Sequence, residues 1–242
     1  MSMETPGAKM LYLIRRKSTT SREELIAHWY ANHMPPVIQR NHEKEAAGEQ
    51  HATRYIVGLF DPENDASLTW DGVAQLWYRE PLPHPAQASA IVPNDSFHEK
   101  VEPYWPWATR EYIAIDGVLP VEPLTLNAPF PCTRSGFHKR TSLVAAKPGT
   151  DIEAMFSHWR GVHLPNVRQT MEEVSGFRYV VSLSTNLAHA PYAGMAELYF
   201  RDAVDWSDFQ TAYRPDGFEN FVDDAASHRF AGGTEMLGID QP

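Results

Sequence analysis

The residues best suited to chemistry are histidines in a ten-residue stretch that occurs twice. It reads HWYANHMPPV from His28 to Val37 and HWRGVHLPNV from His158 to Val167. His-Trp, then His, Pro and Val, return in register, and histidine and tryptophan are too rare for this to be chance. His33 lies four residues after Trp29 and eight after Leu25, so it continues the buried stripe of a helix. His163 stands in the same relation to Trp159 and Met155. Pro35 and Pro165 disfavour helical geometry at the residue before them, which predicts a helix break just after each histidine. An imidazole at a helix end, aimed between helix and sheet, is placed to move protons, since its ordinary pKa of about 6.5 suits either direction of transfer. The same histidines would also serve as structural groups that bond carbonyls freed by the proline.

His28 and His158 fall on the helix flank and read as packing or hydrogen-bonding partners. Trp29 and Trp159 are inward-facing and fit a core or the wall of a ligand pocket. Tyr55 and Tyr179 recur beside Arg54 and Arg178, and such a pair could orient an acidic group on a substrate. Tyr12, Trp77 and Tyr199 add aromatic surface on the strands. His28 and His33 are five apart, about 140° around an α-helix, so they would not share one face. With no carboxylate recurring beside the motif, a metal site is not expected. Neither a dinucleotide nor a P-loop glycine pattern occurs, and no nucleophile elbow, so the expected cofactor is none.

The elements that must position these residues repeat as well. An apolar run, residues 9–16, predicts a first strand, and Thr20 with Glu23 reads as a helix cap matched by Thr150 with Glu153. Residues 54–59 and 72–79 read as strands two and three, matched by 177–183 and 194–201. Residues 94–101 suggest a short helix, and 61–65 a turn. Residues 109–116 close the first copy as a fourth strand, with 235–240 (EMLGID) the counterpart of 111–116 (EYIAID). Each copy thus reads β-α-β-β-α-β, the ferredoxin-like order of an α+β fold. The predicted division is a tail at 1–8, a domain at 9–117, a proline-rich linker at 118–137 and a second domain at 138–242. Two fused units of this kind can bury their bare sheet faces against each other as an intramolecular dimeric α/β barrel.

The apolar strand, the capped helix carrying His-Trp, and the following His-x-Pro resemble the EthD family of the dimeric α/β-barrel superfamily, in both halves. The resemblance implies a cofactor-independent lyase, a dehydratase or decarboxylase, acting on a small aromatic or polyketide-like substrate. His33 and His163 would be its acid–base groups, with His28, Trp29, Tyr55, His158, Trp159 and Tyr179 around the substrate. A cofactor-free monooxygenase of the same fold and a non-catalytic binding protein for an apolar metabolite are the alternatives. Haem binding, known in remoter relatives, is a further one. Most members of the family carry one copy and dimerise, so a fused pair departs from the common pattern, and a homodimer of fused units stays open.

Bulk properties narrow the partners. A net charge of −10 argues against a nucleic-acid surface, leaving a small aromatic or apolar molecule as the expected partner. Cys132 is the single cysteine, so no intrachain disulfide forms. No secretory signal pattern and no apolar run long enough for a bilayer is seen, so a cytoplasmic location is expected.

Overall fold

A computed structural model describes residues 2–61, 69–80, 92–121, 135–188 and 190–241. The predicted turn at 61–65 and most of the linker at 118–137 therefore lie outside the described residues. In chain order the elements are β1 (Met3–Glu4), β2 (Ala8–Ile14), α1 (Arg22–His28), α2 (Met34–Ala46), β3 (Ala52–Leu59), β4 (Gly72–Tyr78), β5 (Trp107–Ile115), β6 (His138–Val144), α3 (Ile152–His158), α4 (Leu164–Glu173), β7 (Arg178–Ser184), β8 (Gly194–Phe200), α5 (Ala203–Ala212), β9 (His228–Gly232) and β10 (Thr234–Asp240).

The chain forms two compact units. The C-terminal unit comprises Met1–Thr5, Thr109–Pro120 and Gly136–Gly232; the N-terminal unit comprises Pro6–Ala108, Val121–Ser135 and Gly233–Pro242. In the C-terminal unit β7, β8, β6 and β9 are neighbours in that order, all antiparallel, which is the second-third-first-fourth order of a ferredoxin-like sheet. In the N-terminal unit β3, β4 and β2 repeat the same order.

The last strand of each half departs from the expected closure. β5 runs antiparallel to β7, pairing Thr109 with Ser184 and Tyr112 with Val181. β10 runs antiparallel to β3, pairing Thr234 with Leu59 and Asp240 with Arg54. Each unit thus takes a strand from the other half of the sequence, placed beside its second strand. That strand would otherwise be an edge with a row of unpaired N–H and C=O groups. Residues 1–8 are not a loose tail either, because Met3 and Glu4 pair with Ile113 and Tyr112 on β5.

The helix caps sit one residue later than predicted. The Ser21 side chain accepts from Glu24 N–H and the Asp151 side chain from Ala154 N–H, while Thr20 is buried and plays no such part. Beneath each motif helix a glycine of the third strand lets the tryptophan ring approach the sheet closely. A Cβ on Gly194 would stand 2.7 Å from the Ser182 carbonyl oxygen and 3.0 Å from the Trp159 ring. A Cβ on Gly72 would stand 2.6 Å from the Gly58 oxygen and 3.4 Å from Trp29. Gly194→Ala is therefore expected to cost about 1–3 kcal/mol by overpacking, read as a lower denaturant midpoint with an unchanged slope.

Candidate functional site

The motif does not end its helix at the histidine. Residues Trp29–His33 and Trp159–His163 each form a π-helical turn that joins α1 to α2 and α3 to α4. Met34 N–H donates to Trp29 O and Leu164 N–H to Trp159 O, the i to i−5 bonds of that geometry. The expected break after the histidine is thus replaced by one wide turn. A proline ring clashes with the carbonyl four residues back in a regular helix, and widening the turn relieves that contact. Pro35 and Pro165 then sit in the first turn of the next helix, the position that accommodates proline best.

The wide turn also changes which side chains meet. In π geometry residue i+5 stacks close to residue i, so His28 and His33 share a face, as do His158 and His163. The α-helical reading of about 140° separation fails for this reason. In the C-terminal unit both imidazoles reach one carboxylate. His163 Nδ1 lies 2.9 Å from Asp216 Oδ2, and His158 Nε2 lies 3.6 Å from Asp216 Oδ1. Phe218 stacks on His163 at 4.3 Å between ring centroids and on His158 at 6.3 Å. In the N-terminal unit His33 Nδ1 is 2.7 Å from Asp95 Oδ2, and His28 Nε2 is 3.0 Å from Ser96 Oγ. Phe97 stacks on His33 at 4.2 Å and on His28 at 6.4 Å.

A carboxylate therefore does recur with the motif, but from a distant loop, as Asp-x-Phe: Asp95-Ser96-Phe97 and Asp216-Gly217-Phe218. These two aspartates and two phenylalanines escape a reading of the sequence alone. The repeated Asp-x-Phe is the available signal, with Pro-Asp in the second copy and Pro-Asn-Asp in the first. Asp216 is fixed by further bonds, accepting from Asn166 Nδ2 at 2.8 Å and from Phe218 N–H at 3.1 Å. Among the described residues no group of three or more His, Cys, Asp or Glu is arranged to hold a metal ion.

Each dyad histidine faces a cavity within its own unit. The C-terminal cavity, about 460 Å³, is walled by Trp159, His163, Tyr179, Trp206, Phe209 and Tyr213. The N-terminal one, about 360 Å³, is walled by Trp29, His33, Tyr55 and three more tyrosines, Tyr12, Tyr78 and Tyr104. The predicted residues His33, Trp29, Tyr55, His163, Trp159 and Tyr179 thus come together, three in each wall. His28 and His158 stand behind the wall. Arg54 and Arg178 do not reach it: Arg54 pairs with Asp240 and lies over Trp77, and Arg178 bonds Asp116 and the Gly117 oxygen. Trp77 and Tyr199 also miss the cavities, lying against Lys9 and Lys139. The Lys139 contact belongs to a buried pair, Lys139 Nζ with Glu197 at 2.6 Å.

Burial holds both dyad histidines below the ordinary imidazole pKa, against the upward pull of Asp216 on His163 and of Asp95 on His33. The Asp216 carboxyl is held below the usual range despite its burial, by the Asn166 amide and His163. A histidine whose folded pKa is depressed binds fewer protons when folded than when unfolded. Stability is then complete above the unfolded pKa of about 6.5 and is lost as pH falls from there towards the folded value. Titration of the imidazole resonances should place His33 and His163 below about 6.5. A His163→Gln variant should lose less stability than the parent over that acid window.

An antiparallel sheet covered by helices, with a cavity between them, defines an α+β unit of ferredoxin-like order. Residues 147–232, in the second half of the chain, match the model of the EthD domain family. No curated protein matches the chain. Similar solved structures include a haem-binding protein from Thermus thermophilus, at 12% identity and TM-score 0.41, covering 96% of this chain and 93% of that one. A putative chlorite dismutase, TA0507, is 8% identical with TM-score 0.47 and 95% of each chain covered. The chlorite dismutase of Candidatus Nitrospira defluvii, in complex with imidazole, is 10% identical with TM-score 0.45, covering 96% of this chain and 89% of that one. Likeness at this level is one of general chain course. It nevertheless corrects the expectation above. The structures named are chlorite dismutases and a haem-binding protein, not cofactor-independent lyases, cofactor-free monooxygenases or accessory proteins, and those readings are withdrawn. No described helix is long and apolar enough to cross a membrane.

Proposed function

We propose that each unit binds a small, largely apolar molecule on which a carboxylate-backed histidine takes up and returns a proton. The observation that carries this reading is His163, in the wall of an aromatic cavity, with Nδ1 2.9 Å from Asp216 Oδ2. The carboxylate accepts Nδ1–H, which leaves the Nε2 lone pair as the base. On an enolisable ligand Nε2 takes a proton from the carbon beside a carbonyl. The C–H electron pair moves to the carbonyl oxygen as an enolate, and the imidazolium formed is stabilised by Asp216. Return of the proton completes the cycle, with no bond broken except those to hydrogen. Trp206, Phe209 and Phe218 keep water from the reacting atoms.

Deuterium exchange tests this without a known reaction. The full chain in D2O, given a panel of aromatic ketones, should wash deuterium into the position beside the carbonyl. A His33→Gln/His163→Gln double variant should not. Equal exchange in both would end the proposal. The same dyad also fits a second reading, because an imidazole whose Nδ1–H is held by a carboxylate is oriented to offer Nε2 to haem iron. A Soret band on adding haemin, lost in His163→Gln, would favour that reading, and no band would remove it.

A further inference from the structure

The two cavities differ in chemistry. Strand register shows which positions correspond: Tyr12 stands opposite Ala74, as Ser142 stands opposite Ala196, and Tyr78 opposite Ala8, as Phe200 stands opposite His138. The N-terminal cavity thus carries phenols where the C-terminal unit has a serine and a phenylalanine. Its wall holds Tyr12, Tyr55, Tyr78 and Tyr104, with Arg40 and Lys44 beside them. Trp29 Nε1 donates to Tyr55 Oη at 3.3 Å, which leaves the Tyr55 hydroxyl hydrogen free to donate onward. Tyr12 and Tyr104 meet edge to face at 5.9 Å, and among the described residues their hydroxyls make no hydrogen bond. Burial pushes Tyr104 up to about 12 and Tyr12 and Tyr55 higher still, so all three remain neutral donors. These hydroxyls line the cavity, where a ligand oxygen can accept from them.

We infer that the N-terminal cavity takes its ligand as an oxyanion, a phenol or enol whose oxygen is held by the hydroxyls of Tyr12, Tyr55 and Tyr104. The ligand O–H bond breaks, its electron pair stays on oxygen, and the proton passes to His33 Nε2. The resulting imidazolium pairs with Asp95. Charge balances locally: Asp95 offsets protonated His33, and Arg40 and Lys44 face the ligand anion. His28 is the remaining titratable group against His33, and it bonds Ser96 Oγ. This deepens the proton-transfer reading above and rests on it, naming the ligand class of one site.

4-Nitrophenol is the probe, because only its anion is yellow. With the full chain, the bound compound should ionise about one pH unit or more below the free compound, a tenfold or larger preference for the anion. Tyr12→Phe with Tyr104→Phe keeps both rings in the wall and should abolish that preference while tryptophan quenching still reports binding. 4-Nitroanisole, which has no proton to lose, should bind weakly and equally to both proteins. If nitrophenol binds but stays colourless, the oxyanion inference is overturned and the cavity reading survives. Should it not bind at all, both fall for this unit. A colour change untouched by the tyrosine substitutions places the anion elsewhere and also overturns the inference.

Discussion

Asp216→Asn is expected to slow proton exchange at the C-terminal site by roughly 10²–10⁴-fold, the usual worth of a positioned acid–base group. The asparagine is nearly isosteric and can still accept from Phe218 N–H, so the loop should keep its place. It has no charge, however, to balance an imidazolium, and its amide can present N–H to Nδ1 instead of oxygen. His163 could then settle in the tautomer that puts its proton on Nε2, the nitrogen needed as a base. Asp216 is also the main influence that raises the His163 pKa against burial, so the imidazole should titrate lower still in the variant. Two measurements check this on one sample: deuterium exchange into an aromatic ketone, and the pH titration of the His163 ring. A variant that exchanges at the parental rate would remove the dyad from the mechanism. His158→Asn makes the complementary case. It removes a like charge 3.6 Å from the same carboxylate, so the His163 titration should move upward.

What is legible in the sequence follows from repetition. Two copies of His-Trp-x3-His-x-Pro, with flanking apolar runs in register, are enough to give two α+β halves and six of the wall residues. The rest depends on physics that local pattern does not carry. A π turn has no composition of its own, and the α-helical assumption puts His28 and His33 on different faces when one wide turn stacks them. The proline after each histidine reads as a stop, yet the same wide turn accommodates it. Asp95 and Asp216 lie 62 and 53 residues beyond their histidines, a pairing that only the folded chain displays. The exchange of β5 and β10 is equally hidden. Residues 111–116 and 235–240 match each other in sequence, and nothing in that match says which second strand each will pair with.

Trp159→Ala should be the most destabilising single change in the motif, at about 3–5 kcal/mol, the usual range for truncating a buried tryptophan. In a unit of this size that corresponds to a fall in Tm of roughly 10–30 °C. Trp159 is 1% exposed and fills the space between three fixed surfaces. Below it is Gly194, whose missing side chain admits the ring; beside it is Phe218, 4.7 Å away between centroids. Above it the π turn carries His163. A cavity there could not collapse, because the glycine backbone is tied into β8 and Phe218 is pinned by the bonds of Asp216. Phenylalanine should recover most of the loss at Trp159. At Trp29 it should recover less, since Trp29→Phe also removes the donor to Tyr55 Oη, worth about 0.5–1.5 kcal/mol. Thermal melts of the two alanine and two phenylalanine variants read both effects. The tryptophan is also the spacer that sets the height of His163 above the sheet. Trp159→Phe, though nearly as stable as the parent, should therefore exchange protons more slowly, whereas a tryptophan that only filled space would leave that rate unchanged.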